Sequence, residues 1–215
     1  ERIITLPLIG AYQAANALVA AGLVIVSGGA PDQTFDALSR LQPVRGRLER
    51  AAISSAGAPI YVDYAHTPDA LSAALDALRP HVDGKLLTVF GAGGDRDQGK
   101  RAEMGRIAAE KSDVVIVTDD NPRGEDAAVI RSMVLQGAPE AQNIADRRAA
   151  IAAAIAAAGP QDIVLIAGKG HEQGQIIGAG ENMQVMPFDD VAVARECAGA
   201  IGGGTIAAGA TGGEV

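Results

Sequence analysis

Residues Leu86–Asp126 read LLTVFGAGGDRDQGKRAEMGRIAAEKSDVVIVTDDNPRGED. A near-continuous apolar run opens the stretch and gives way to a glycine-rich loop carrying Asp95, Arg96 and Asp97. A helix-forming segment follows, then a second apolar run from Val114 that ends abruptly in Asp-Asp-Asn-Pro-Arg. The order is strand, loop, helix, strand, loop. Apolar runs without alternation belong to strands covered on both faces, as in parallel sheets.

The rhythm extends both ways. Upstream, APIYVDYAH is a strand with its exit loop. TPDALSAALDALRP is a helix with Thr67 as N-cap, Pro68 at the first helical position, Leu71, Leu75 and Leu78 on one face, and Pro80 as its stop. The helix DAAVIRSMVLQG should turn Val129, Ile130, Met133 and Val134 inward. Downstream come the helix DRRAAIAAAIAAAG, the strand QDIVLIA, the loop GKGHEQGQ and a closing helix that starts at Asp189 or Asp190. The expected fold class is α/β, a Rossmann-like, mostly parallel sheet with helices on both faces. Ahead of it, GAYQAANALVAAG predicts a buried helix ending near Gly22. A short helix with Phe35, Leu38 and Leu41 follows and is stopped by Pro43. Pro43–Gly46 reads as a domain boundary, and the glycine-rich residues 201–215 as a flexible tail.

Composition narrows the function. The 215 residues are 48% hydrophobic, enough for a sizeable core. A net charge of -8 and only 3% aromatic residues argue against a nucleic-acid surface, since neither phosphate attraction nor base stacking is provided for. The uncharged stretch Ile3–Ala30 has the length of a membrane span, but Pro7, Gly10, Gln13, Asn16 and Gly22 argue against insertion. The single Cys197 supports no disulfide framework and fits a reducing cytoplasmic setting.

Four loops carry the unusual chemistry: 63–66, 91–98, 119–124 and 168–173. Each follows the carboxyl end of a strand, and in a parallel sheet those ends share one edge, where ligands bind in open α/β folds. GAGGDRDQGKR fails as a dinucleotide fingerprint because position 96 is Arg, not Gly. It also fails as a nucleoside-triphosphate loop because Arg101 replaces the magnesium-binding Ser or Thr. Gly91–Gln98 is better described as a tight turn that projects Arg96. In DDNPRGED, Pro122 biases Asn121 to an extended conformation and aims the Asn amide and the Arg123 fork from a rigid turn. AGKGHEQGQ offers Gly168 and Gly170 for close approach, Lys169 and His171 as donors and Glu172 as an anion. Two guanidinium groups and a carboxylate suit a zwitterionic amino acid better than a phosphate. Taken singly, each loop has a plainer reading, a surface turn with a solvated Arg or a packing His. The pair Asp63 and His66 could bind a nucleotide or a metal, but a lone Asp–His pair is more often structural, and no second cluster of ligand spacing accompanies it.

Together, GRLE (Gly46–Glu49), VDYAHTPDAL, VFGAGGDRDQGKR, VTDDNPRGED and AGKGHE resemble, in this order, the Mur ligases of peptidoglycan synthesis. The likeness is strongest to their diaminopimelate-adding branch, which Asp-Asn-Pro-Arg marks. It runs from about Leu6 to Gly199. The resemblance implies that residues 1–46 end a central ATPase domain and that 47–200 form the C-terminal, amino-acid-binding domain. It assigns Arg96, Asp120, Asn121, Pro122, Arg123, Gly168 and Glu172 to meso-2,6-diaminopimelate, and Asn16, Arg47 and Asp63, with His66 in the same loop, to ATP. The family's Asn-x-x-Asn pair reads Gln13-x-x-Asn16 here, a longer amide at the first place. ATP and Mg2+ are the implied cofactors, their sites mostly in domains this sequence does not contain. The UDP-N-acetylmuramoyl dipeptide is the implied partner substrate, held by those same domains. A cytoplasmic monomer is expected, inactive as a fragment. The alternative from another class is a stand-alone Rossmann-like module that binds an amino acid or nucleotide without turnover.

Overall fold

The computed structural model describes residues 2–199; the tail expected at 201–215 lies outside them. Helices α1 (Ala11–Val26) and α2 (Pro31–Leu38) precede the strands β1 (Glu49–Ile53) and β2 (Pro59–Asp63). Then follow α3 (Pro68–Leu78), β3 (Leu86–Phe90), α4 (Lys100–Lys111), β4 (Val114–Val117), α5 (Ala127–Leu135) and β5 (Gln142–Asn143). The chain continues through α6 (Arg147–Ala157), β6 (Ile163–Ala167), β7 (Gly174–Ile177), β8 (Gln184–Pro187) and α7 (Asp190–Cys197).

Six strands form one sheet in the order β1-β2-β6-β3-β4-β5. All neighbours run parallel except β1, which pairs antiparallel with β2 at the edge. The period of two along each strand feeds two cores. Leu86 and Phe90 of β3 face Leu71 and Leu75 of α3, Met104 of α4 and Ile130 and Val134 of α5. Leu87 and Val89 face the other way, onto Ile151 and Ile155 of α6 and Val191 and Ala194 of α7. The doubly wound architecture read from the apolar runs is therefore the one observed.

Local signals acted where expected. The Thr67 hydroxyl accepts the Ala70 N–H, and Asp126, Asp146 and Asp189 cap α5, α6 and α7 in the same way. Pro80 sits in a single 3-10 turn, Arg79–His81, that closes α3.

Three expectations need correction. The first helix runs four residues beyond Gly22 to Val26 and is not buried: only Ala17 and Ala21 are covered, against Leu38 of α2, while Leu18, Val19, Leu23 and Val24 face solvent. Apolar composition gave no face to this helix, and burial depends on a partner, which the described residues supply only along a narrow strip. Helix α2 stops at Leu38, short of Leu41, and Val129 of α5 points outward. Two features went unread. Strand β5 is two polar residues and carries no apolar signal. The hairpin β7–β8 is short and rich in exposed side chains. Among the described residues no helix is long and apolar enough to cross a membrane.

One buried ion pair ties the second layer of helices to the sheet. Arg147 at the start of α6 donates from Nε to Asp190 Oδ1 (2.8 Å) and from Nη2 to Asp190 Oδ2 (2.7 Å), and both side chains are fully buried. Nη2 also donates to the Ala167 carbonyl at the end of β6 (3.0 Å). Burial works against the Arg147 charge, but the Asp190 carboxylate outweighs it and holds the guanidinium above its ordinary value. Removing one partner leaves an uncompensated buried charge. Asp190→Asn should therefore lower the unfolding free energy by roughly 3–5 kcal/mol, read from urea denaturation; a change under about 1 kcal/mol would show that the pair contributes little.

Candidate functional site

Because β2, β6, β3 and β4 run parallel in register, their carboxyl ends deliver four loops to one edge. A cleft of about 300 Å³ opens there, lined by Arg96, Asp120, Asn121, Arg123, Gly168 and Glu172 together with Tyr64, His66, Thr67 and Lys100. Six of the seven residues expected to hold an amino acid thus share one wall. Pro122 does not reach the cleft. It is buried in the turn, where its carbonyl accepts the Glu125 N–H (3.1 Å).

The loops interlock through their backbones. Gly94 donates its N–H to the Asn121 carbonyl (2.9 Å), and a Cβ at Gly94 would fall 1.9 Å from the Pro122 carbonyl oxygen, so only glycine fits. Arg101 of α4, fully buried, grips Glu125 with both terminal nitrogens (2.8 and 2.9 Å) and the Gly93 carbonyl (3.2 Å). That paired hydrogen bond holds the Glu125 carboxyl below the usual carboxylate range. Arg123 adopts φ 50, a left-handed conformation uncommon for a side chain with a Cβ. It is held there by β7: Arg123 N–H donates to the Ile176 carbonyl (3.1 Å), and Gly178 N–H to the Arg123 carbonyl (2.8 Å). Its guanidinium reaches back to the Gly94 carbonyl (3.0 Å), leaving most of its donors for the cleft. Arg96 is exposed and tethered only to the Asp95 carbonyl (3.0 Å).

Asn121 lines the cleft and is also tied into the surrounding loops. Its Oδ1 accepts from Lys169 Nζ (2.7 Å) and from the Ile176 N–H (2.9 Å), and its Nδ2 donates to Glu172 Oε2 (3.0 Å). One N–H remains for a ligand. Lys169, read above as a possible donor to ligand, is wholly buried beneath the cleft. Lys100, by contrast, lines the cleft and donates to the His66 carbonyl (2.7 Å). Burial pulls the Lys100 ammonium below its ordinary value, against the carboxylates of Asp97 and Asp120. Sequence reasoning missed Lys100 and Tyr64; both sit one or two residues beyond the glycine and acidic positions that drew attention to their loops.

The residues assigned to the nucleotide side divide. Asn16, Arg47 and Asp63 line a second cavity of about 410 Å³ with Tyr12 and Gln13, whereas His66 belongs to the first cleft. Gln13 Oε1 accepts from Asn16 Nδ2 (3.4 Å), so the longer amide meets its neighbour across one helical turn. Asp63 is already engaged: its carboxylate accepts the Leu48 and Ala65 N–H groups (2.8 Å each) and fixes the left-handed turn at Leu48. Burial raises the Asp63 carboxyl, and those two N–H groups oppose the shift. The cavities meet where the Arg47 guanidinium stacks over the Tyr64 ring, 4.7 Å from its centroid. Among the described residues no three His, Cys, Asp or Glu side chains gather as metal ligands.

A family model described as Mur ligase, glutamate ligase domain, matches residues 46–170. The UDP-N-acetylmuramoyl-L-alanyl-D-glutamate--2,6-diaminopimelate ligase of Zymomonas mobilis is 68% identical over 193 residues, 90% of this chain and 40% of that protein. A solved structure of a ligase of the same name superposes with a TM-score of 0.68 at 38% identity, covering 91% of this chain and 40% of the other. The Mycobacterium tuberculosis folylpolyglutamate synthase, solved with ADP and AMPPCP, superposes at 0.60 with 26% identity, covering 77% and 39%. The chain thus spans well under half the length of the relatives it matches. With its sheet order, its converging loops and this likeness together, the chain belongs to the Mur ligase family.

Proposed function

We propose that this chain is the amino-acid-binding, C-terminal part of an ATP-dependent ligase that adds meso-2,6-diaminopimelate to UDP-N-acetylmuramoyl-L-alanyl-D-glutamate. The observation that carries the reading is the meeting of two guanidinium groups, Arg96 and Arg123, with two carboxylates, Asp120 and Glu172, in one cleft. A phosphate site would exclude the carboxylates. An amino acid supplies a carboxylate for an Arg fork and an ammonium for a carboxylate, and diaminopimelate carries such a pair at each end. Arg123 and the Asn121–Glu172 pair face its distal end, whose carboxylate lysine lacks. A site that leaves a buried polar group unpaired can reject the analogue by factors of about 10⁴.

In the ligase so proposed, the γ-carboxylate of D-glutamate becomes an acyl phosphate, the diaminopimelate amine attacks it, and a tetrahedral intermediate releases phosphate. This chain's share is to bind and orient the amine and, on closure of domains, to exclude water. Residues 1–46 are the end of the ATPase domain. Asn16, Arg47 and Asp63 face the nucleotide, and Mg2+ belongs to the part of the ligase outside this chain. The ligase is a cytoplasmic monomer.

Two substitutions test the cleft by calorimetric titration with meso-diaminopimelate. Arg123→Ala should weaken binding by roughly 2–5 kcal/mol and erase the preference over lysine; an unchanged preference would remove Arg123 from the role. Gly168 sits at φ +120, where a Cβ would lie 2.6 Å from Asp120 Oδ2. Gly168→Ala should cost about 1–3 kcal/mol in strain, displace that carboxylate and weaken binding. Full affinity in a folded Gly168→Ala chain would show that the Asp120 position is not critical.

A further inference from the structure

Lys169 lies between two glycines on the floor of the cleft, its side chain fully buried. Its Nζ donates to Asn121 Oδ1 (2.7 Å) and to the Gly174 carbonyl (2.8 Å). Asp120 Oδ1 and Glu172 Oε2 each stand 3.9 Å away, close enough to feel the charge and too far to share its protons. The other buried cations of this edge, Arg147 and Arg101, are matched at close range by Asp190 and Glu125. Lys169 has no such partner; its charge answers the two carboxylates that line the cleft.

We propose that Lys169 is a positioning residue of the cleft: it orients the Asn121 amide toward Glu172 and holds Asp120 and Glu172 as paired anions ready for a ligand ammonium. This rests on the reading of the cleft as an amino-acid site. The amide can face only one way. With Lys169 Nζ and the Ile176 N–H both on Oδ1, Nδ2 is left for Glu172. The electrostatic half follows from proximity. Two carboxylates facing one small cleft repel each other, and a buried ammonium within 4 Å of both offsets that repulsion. Burial pulls the Lys169 ammonium down, Asp120 and Glu172 pull it back up, and Arg147 opposes them while Asp190 assists. Across the cleft stand the further charges Arg96, Arg123 and Lys100, with the titratable His66.

The test separates this role from simple packing. The carboxyl carbons of Asp120 and Glu172 are titrated by NMR in the ligand-free chain, unmutated and as Lys169→Gln, Lys169→Met and Lys169→Arg. Loss of the ammonium disfavours the anions, so in the Gln and Met variants at least one midpoint should rise by about one pH unit or more, and Arg should restore it. A packing role would leave the midpoints where they are, and unmoved midpoints in a folded Lys169→Gln chain would overturn the proposal. If neither neutral variant folds, the Lys169 ¹⁵Nζ resonance of the unmutated chain decides. A protected ammonium whose shift follows the Asp120 and Glu172 titrations supports the role, and one indifferent to them contradicts it. Calorimetry with meso-diaminopimelate runs beside this. Loss of affinity in the Gln variant, steepest at acid pH, is expected. If the unmutated chain binds nothing while the midpoints still move, the ligand reading fails and the Lys169 charge coupling stands.

Discussion

Everything at the candidate site depends on the parallel registration of β2, β6, β3 and β4. Parallel strands place all their carboxyl ends on one edge. Segments more than a hundred residues apart, from Tyr64 to Glu172, therefore meet in one cleft without any long-range signal beyond strand order. The hydrophobic layers on the two faces hold that order. The glycines at the strand exits let the loops touch backbone to backbone. The ion pair of Arg147 with Asp190 then fixes α6 and α7 beneath the same edge.

On this frame the polar residues divide into those that face the cleft and those that hold them there. Arg96, Asp120 and Lys100 face it. Arg101 with Glu125, and Lys169 beneath Asn121, lie behind and set loop positions through hydrogen bonds to backbone carbonyls and side-chain oxygens. Strand β7 performs the same task for Arg123, whose left-handed backbone persists because hydrogen bonds on both sides of the residue demand it. A site of alternating charges close together needs such support, since like charges repel and unlike charges collapse onto each other unless each is tied elsewhere.

The sheet and most helices were legible because their signals are local: near-continuous apolar runs in β3, β4 and β6, Thr67 and Pro68 opening α3, Asp189 opening α7. The convergence of the loops that carry Arg96, Asp120, Arg123, Gly168 and Glu172 was legible from topology, while the choice of residues within them drew on the family resemblance. Burial was harder to read. Nothing in the letters around Lys169 distinguishes a buried strut from an exposed donor, because the difference lies in β7 and Asn121, which pack over it from elsewhere in the chain. The first helix erred the other way. Its residues are apolar on all sides, so sequence gave no clue to which strip is covered. The hairpin β7–β8 has neither apolar alternation nor length, yet it fixes the conformation of Arg123. Asp63 and His66, read together from one loop, line different cavities, a separation that three residues of sequence do not announce.

The central claim, that this rim recognises a small molecule with an ammonium and carboxylate at each end, is tested most directly by mapping backbone amide shifts as meso-diaminopimelate is added to the ¹⁵N-labelled chain. The account predicts saturable shifts concentrated at residues 93–96, 120–124 and 168–172, with far weaker ones from lysine at equal concentration. Shifts gathered instead around Gln13, Asn16 and Arg47, or equal responses to both amino acids, would contradict it.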